Sequence, residues 1–145
     1  MPVDMAKILI VDDDSGCLKL LRASLTVLGH EVCEAHDGDV ALQAHVSWRP
    51  ELVLLDVLMP EKDGIETLRE LHAIEPTLPI VAMSDGGSIG LSICIDVMPT
   101  LGATGLLIKP FGVNELARTV EAALALSVAA AQRRHIASPR GSHVP

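Results

Sequence analysis

Four short apolar runs constrain this chain more than anything else in its sequence. Lys7 to Val11 (KILIV), Glu51 to Leu55 (ELVLL), Pro79 to Met83 (PIVAM) and Thr104 to Ile108 (TGLLI) are rich in branched aliphatic residues and lack polar alternation. A strand that is apolar on both faces needs cover on both faces, which is the condition of a strand inside a parallel sheet flanked by helices. A fifth segment, Glu31 to Ala35 (EVCEA), alternates in polarity and reads as an edge strand.

Helical patterns fill the spaces between these strands. The first runs from Ser15 as N-cap through Leu18, Leu21, Leu25 and Leu28 to a stop at Gly29. The second spans Gly38 to Trp48 before Pro50, and the third follows Gly64 with Ile65, Leu68, Leu71 and Ile74 on one face before Pro76. The fifth, Val113 to about Arg134, carries Leu116, Val120, Ala123 and Leu124 on one stripe. Asp37-Gly38 and Asp63-Gly64 read as turn signals feeding the next helix. Ser84 to Gly102 is irregular, with three glycines between Gly86 and Gly90, and Pro99; a short or distorted fourth helix is expected there. Strands alternating with helices predict a doubly wound α/β domain over residues 1–134 with a five-stranded parallel sheet. Residues 135–145 read as a disordered tail.

Composition narrows the function. Hydrophobic residues make up 49% of the chain against 21% charged, which supports a buried core. A formal charge of −8, with one Trp, one Phe and no Tyr, argues against direct nucleic-acid binding, which needs cationic neutralisation and stacking surfaces. Cys17, Cys33 and Cys94 have neither disulfide parity nor zinc spacing and read as reduced thiols. The six histidines are scattered without ligand spacing and read as surface or filler residues. No apolar run is long enough for a membrane span and MPVDMAK is too polar for a signal peptide, so a cytoplasmic protein is expected.

Ligands of open parallel sheets bind beyond the carboxyl ends of the strands. Those ends here carry Asp12-Asp13-Asp14, Asp56, Ser84-Asp85 and Lys109-Pro110. Converging carboxylates repel and raise one another's pKa unless a cation sits among them, and a hard divalent ion such as Mg²⁺, with Mn²⁺ as a substitute, suits oxygen donors plus a phosphate. Lys109 and the Ser84 hydroxyl can then hold phosphate oxygens, and the Asp56 carboxylate can act as nucleophile.

In this order, ILIVDDD, AHDGDVAL, LVLLDVLMPEKDG, IVAMS and LLIKPF resemble the receiver domain of two-component response regulators, over about Ala6 to Val128. The resemblance implies the flavodoxin-like strand order 2-1-3-4-5 with five helices, the order of the chemotaxis member of the same family. It implies Asp56 as phosphoacceptor, Asp13 and Asp56 as direct metal ligands with the Leu58 backbone carbonyl, and Asp12 acting largely through water. Ser84 takes the switch hydroxyl position and Lys109 the phosphate-binding lysine, with the Lys109–Pro110 bond commonly cis in the family. The implied donor is a histidine kinase or histidine phosphotransfer protein, and the output a downstream protein or a homodimer, with no enzymatic turnover of other substrates. Two features depart from the pattern: Leu106 stands where an aromatic residue is usual, and Asp85 where a small neutral one is, so that its carboxylate would hinder phosphodonor approach or add a metal ligand.

Too few residues follow the fifth helix for an effector domain, so a stand-alone receiver is expected, with the receiver segment of a hybrid kinase or longer regulator as the alternative. A metal-dependent phosphatase using an aspartyl phosphate is the enzymatic rival; Leu58 stands where that pattern places a second Asp. A receiver that works without phosphorylation is a third reading, opposed by the full acidic set.

Overall fold

The alternation of runs and stripes becomes a single three-layer arrangement. The computed structural model describes residues 5–59 and 64–137. In chain order it contains β1 (Lys7–Val11), α1 (Ser15–Val27), β2 (Glu31–Ala35), α2 (Gly38–Trp48), β3 (Leu52–Asp56), α3 (Gly64–Ile74) and β4 (Ile80–Ser84). Then come α4 (Ser88–Ser92), a π-helical segment (Ile93–Val97), β5 (Gly105–Ile108) and α5 (Val113–Ala137). The strands pair in parallel in the order β2-β1-β3-β4-β5.

Burial follows position in the sheet. Every residue of β3 and β4 is buried, whereas the edge strands β2 and β5 are mostly half-buried. Alternate side chains feed two separate cores. Leu9, Val11, Val53, Leu55, Ile80 and Ala82 pack toward α2 and α3 with Leu68 and Leu71, while Ile8, Ile10, Leu52, Leu54 and Met83 pack toward α1 and α5 with Leu21, Leu25, Leu116 and Val120. With the two faces both covered, each large aliphatic side chain contributes about 1.5–3 kcal/mol through burial.

The helix ends show why the chain turns where it does. The N-cap of α1 is Asp14 and not Ser15, since the Asp14 carboxylate accepts the Gly16 N–H at 3.0 Å; a carboxylate also suits the positive end of the helix better than a hydroxyl. Gly29 ends α1 at φ 96°, with its N–H donating to Thr26 and that of His30 to Leu25, both at 3.0 Å. Asp37 caps α2 by accepting the Val40 N–H at 2.8 Å. Strands β3, β4 and β5 each begin one residue later than the apolar pattern suggests.

The distorted fourth helix is present: five residues of α4 pass into the π-helical turn, where the Met98 N–H reaches the Ile93 carbonyl at 2.9 Å. The reading of the histidines as surface or filler needs correction at two positions. His30 is buried and its Nδ1 accepts the Ala6 N–H at 3.1 Å, and buried His45 ties α2 to Glu75, the residue after α3, at 2.8 Å. Cys17, Cys33 and Cys94 are free. Asp63 and residues 138–145 of the expected tail lie outside the described residues, and α5 extends to Ala137. Among the described residues no helix is long and apolar enough to cross a membrane.

Candidate functional site

Because all five strands run the same way, their carboxyl ends share one edge of the domain. Val11 pairs with Leu55 and Asp56 with Met83, so Asp12, one residue past β1, lies level with Asp56 at the end of β3. Ser84 pairs with Ile108, and the next N–H, that of Lys109, donates to the Ser84 carbonyl at 2.6 Å. The Lys109–Pro110 peptide is cis.

These residues line one cavity of about 290 Å³, formed by Asp12, Asp13, Asp14, Asp56, Leu58, Ser84, Asp85 and Lys109. Asp12, Asp56 and Ser84 are buried, whereas Asp13 is exposed at the rim. One carboxylate oxygen each from Asp12, Asp13 and Asp56 lies within 4.8 Å of the others, the only such gathering of acidic, His or Cys ligand atoms among the described residues. Asp85 lies outside that gathering although it borders the same cavity.

The lysine is not shared equally. Lys109 Nζ lies 2.7 Å from Asp12 Oδ2 and 3.7 Å from Asp56 Oδ2. Burial alone would push Asp12 up, but the Lys109 ammonium and the Asp14 N–H, which donates to Oδ1 at 3.0 Å, hold it below the usual carboxylate value. Burial pushes Asp56 up to about 7, aided by the Asp12 charge and only partly opposed by Lys109 and the Leu58 N–H, which donates at 3.3 Å. For Lys109 burial works downward, yet its hydrogen bond to Asp12 and the Asp56 charge carry it above the ordinary lysine value. The site thus holds an acid pair beside an ammonium with one carboxylate short of compensation. Three hard oxygen donors around an under-compensated carboxylate fit a divalent cation such as Mg²⁺.

All six residues expected at the site, Asp12, Asp13, Asp56, Leu58, Ser84 and Lys109, come together at this cavity. Sequence reasoning missed three supports. Asp14 contributes its backbone N–H to Asp12 as well as capping α1. Half-buried Cys17 sits against Asp12, and burial together with that carboxylate pushes its thiol up to about 12, so it is a packing group there and not a nucleophile. The sequence marks Gly64 only as a turn signal; a Cβ there would lie 2.3 Å from the Asp56 carbonyl, so glycine is what lets α3 start directly against the end of β3.

With this geometry in hand, the relatives are unambiguous. Residues 8–121 match the response regulator receiver domain model. The chain is 39% identical over 119 residues to the response regulator MprA of Mycobacterium ulcerans, covering 81% of this chain and 50% of that protein. Among solved structures it resembles NtrX from Brucella abortus in complex with ADP, at TM-score 0.86 and 32% identity over 92% of this chain and 30% of that one. It also resembles a CheY-like receiver domain protein from Methanospirillum hungatei, at TM-score 0.77 and 25% identity over 86% and 98% of the two chains. The fold and the strand-end residues define a receiver domain. The chain belongs to the response regulator receiver family of two-component systems, and it spans about half the length of the curated relatives it matches.

Proposed function

We propose that this chain is a phosphoacceptor that takes a phosphoryl group onto Asp56 from a histidine kinase or histidine phosphotransfer protein, and passes its state on through contact with a downstream protein or a second copy of itself. The observation that carries this reading is the unequal position of Lys109, which neutralises Asp12 and leaves Asp56, at the end of β3, as the carboxylate in want of a positive partner.

In the proposed reaction an Asp56 oxygen forms the new bond to phosphorus while the bond to the donor breaks. Lys109, held by Asp12 with its ammonium 3.7 Å from Asp56, is placed to meet a phosphoryl oxygen. The Ser84 hydroxyl, which accepts the Gly86 N–H at 3.2 Å, retains a proton to donate to another. Asp13 and Asp56 would hold a Mg²⁺ or Mn²⁺ ion directly with the Leu58 carbonyl, and Asp12 would hold it through water. When bound, such an ion supplies positive charge that offsets the carboxylates and the incoming phosphoryl group. The net charge of −8 accords with an output through protein contact and not through direct nucleic-acid binding.

The test is incubation with Mg²⁺ and phosphoramidate followed by intact mass. A gain of about 80 Da that disappears in Asp56→Asn and on chelation is the expected result. An adduct that survives Asp56→Asn contradicts the assignment, and turnover of many phosphate esters would favour a phosphatase.

A further inference from the structure

The cavity holds more negative charge than the proposed chemistry uses. The three gathered carboxylates of Asp12, Asp13 and Asp56 would be balanced by one divalent cation together with the Lys109 ammonium. Two lining carboxylates are then left over, Asp14 and Asp85. Asp14 has a structural task as the cap of the 13-residue helix α1. Asp85 has no comparable one: it is exposed at the cavity wall beside buried Ser84, and among the described residues its Oδ1 accepts only the Gly87 N–H, at 3.0 Å. That bond fixes the carboxylate without neutralising it. Any donor that reaches Asp56 brings its own negative charge past this group.

We propose that Asp85 is a charge filter at the mouth of the site, selecting against small dianionic phosphodonors such as acyl phosphates and in favour of donors whose phosphoryl charge is lower or is offset by an attached cationic group. This rests on the phosphoacceptor reading and names the donor class for it. With acetyl phosphate, the Asp56 oxygen bonds to phosphorus as the bridging O–P bond breaks, and acetate departs with the bonding pair. With phosphoramidate, which carries its protons on nitrogen and one net negative charge, the N–P bond breaks and ammonia departs with the pair. The bond made is the same, so the two donors differ in the charge they bring to Asp85. A fixed unit charge several ångströms from the donor in a water-filled mouth costs about threefold in rate per unit of donor charge, hence about tenfold for a dianion.

The experiment compares wild type with Asp85→Asn, in saturating Mg²⁺, by initial rates of adduct formation from each donor. The asparagine oxygen can still accept the Gly87 N–H, so the turn is kept while the charge is removed. The expected result is a gain of about tenfold with acetyl phosphate and about threefold with phosphoramidate. Both gains should shrink as salt rises from roughly 0.05 to roughly 0.5 M, a range over which the screening length shortens about threefold. The wild-type protein gives a second, independent reading: its acetyl phosphate rate, relative to phosphoramidate, should rise with salt. Equal gains for both donors, no gain, or a gain indifferent to salt would overturn the filter in a protein that still takes up phosphate. No adduct from either donor on either protein removes the phosphoacceptor reading itself, and the filter with it.

Discussion

The ends of the first and third strands carry the same side chain in adjacent positions of one sheet, yet the fold treats them oppositely. At the end of β1, Asp12 is wholly buried but receives the Lys109 ammonium at 2.7 Å and the Asp14 N–H at 3.0 Å, and stays ionised below the usual carboxylate range. At the end of β3, Asp56 has the Leu58 N–H at 3.3 Å and a lysine 3.7 Å away, and burial raises it to about 7. Burial alone does not decide the charge state of an acid; the number and closeness of its donors does. The pair is therefore unequal, one carboxylate holding the lysine and the other left short of positive charge, which is the division of work that the proposed reaction requires.

The sharpest way to break this contrast is Asp56→Asn, which should abolish the mass gain entirely while leaving the Lys109–Asp12 pair intact. Next is Lys109→Met, expected to slow phosphoryl uptake about 100-fold and to push both carboxylates upward, read by initial rates and by a pH titration. A third prediction concerns pH. The folded value of Asp56, about 7, lies above its ordinary 3.8, so its contribution is fully present below pH 4 and is lost as pH rises through 7. Each unit of that window costs up to roughly 1.4 kcal/mol in the metal-free protein. Asp12, lowered, and His30, lowered chiefly by burial, act in the opposite sense. Subtracting the stability of Asp56→Asn from that of wild type isolates the Asp56 part; in the metal-free protein the difference should fall with rising pH, and in saturating Mg²⁺ that fall should disappear while wild type gains stability over the variant. Asp12→Asn should then lower the Asp56 titration by about one unit, through loss of a neighbouring negative charge. The smallest effect is expected for Asp14→Ala, about 1 kcal/mol of stability from the lost cap, with the Asp12 titration unmoved because the Asp14 N–H remains.

Much of this was legible in the sequence, and for a physical reason. Apolar runs such as ELVLL can be satisfied only inside a covered parallel sheet, so strand number and type followed from pattern, and acids placed just past those runs had to meet at one edge. The strand order and the individual roles of Asp12 and Asp56 came from family resemblance, since periodicity does not say which strands are neighbours. What stayed hidden depends on distances of a few tenths of an ångström or on tertiary partners. Nothing in DDD tells which carboxylate Lys109 will choose, or that Asp14 rather than Ser15 caps α1. The buried seats of His30 and His45 depend on Ala6 and Glu75, far along the chain. The closeness of Gly64 to the Asp56 carbonyl follows from how α3 docks.

Two neighbouring acids that titrate far apart are the physical core of the proposed chemistry, and carboxyl carbon-13 NMR of the metal-free protein measures them directly. With Asp56 assigned through Asp56→Asn and Asp12 through Asp12→Asn, the Asp56 resonance should titrate near pH 7 and that of Asp12 below pH 3.8. Two resonances moving together near the ordinary carboxylate value, or Asp12 titrating above Asp56, would contradict the division of roles between them.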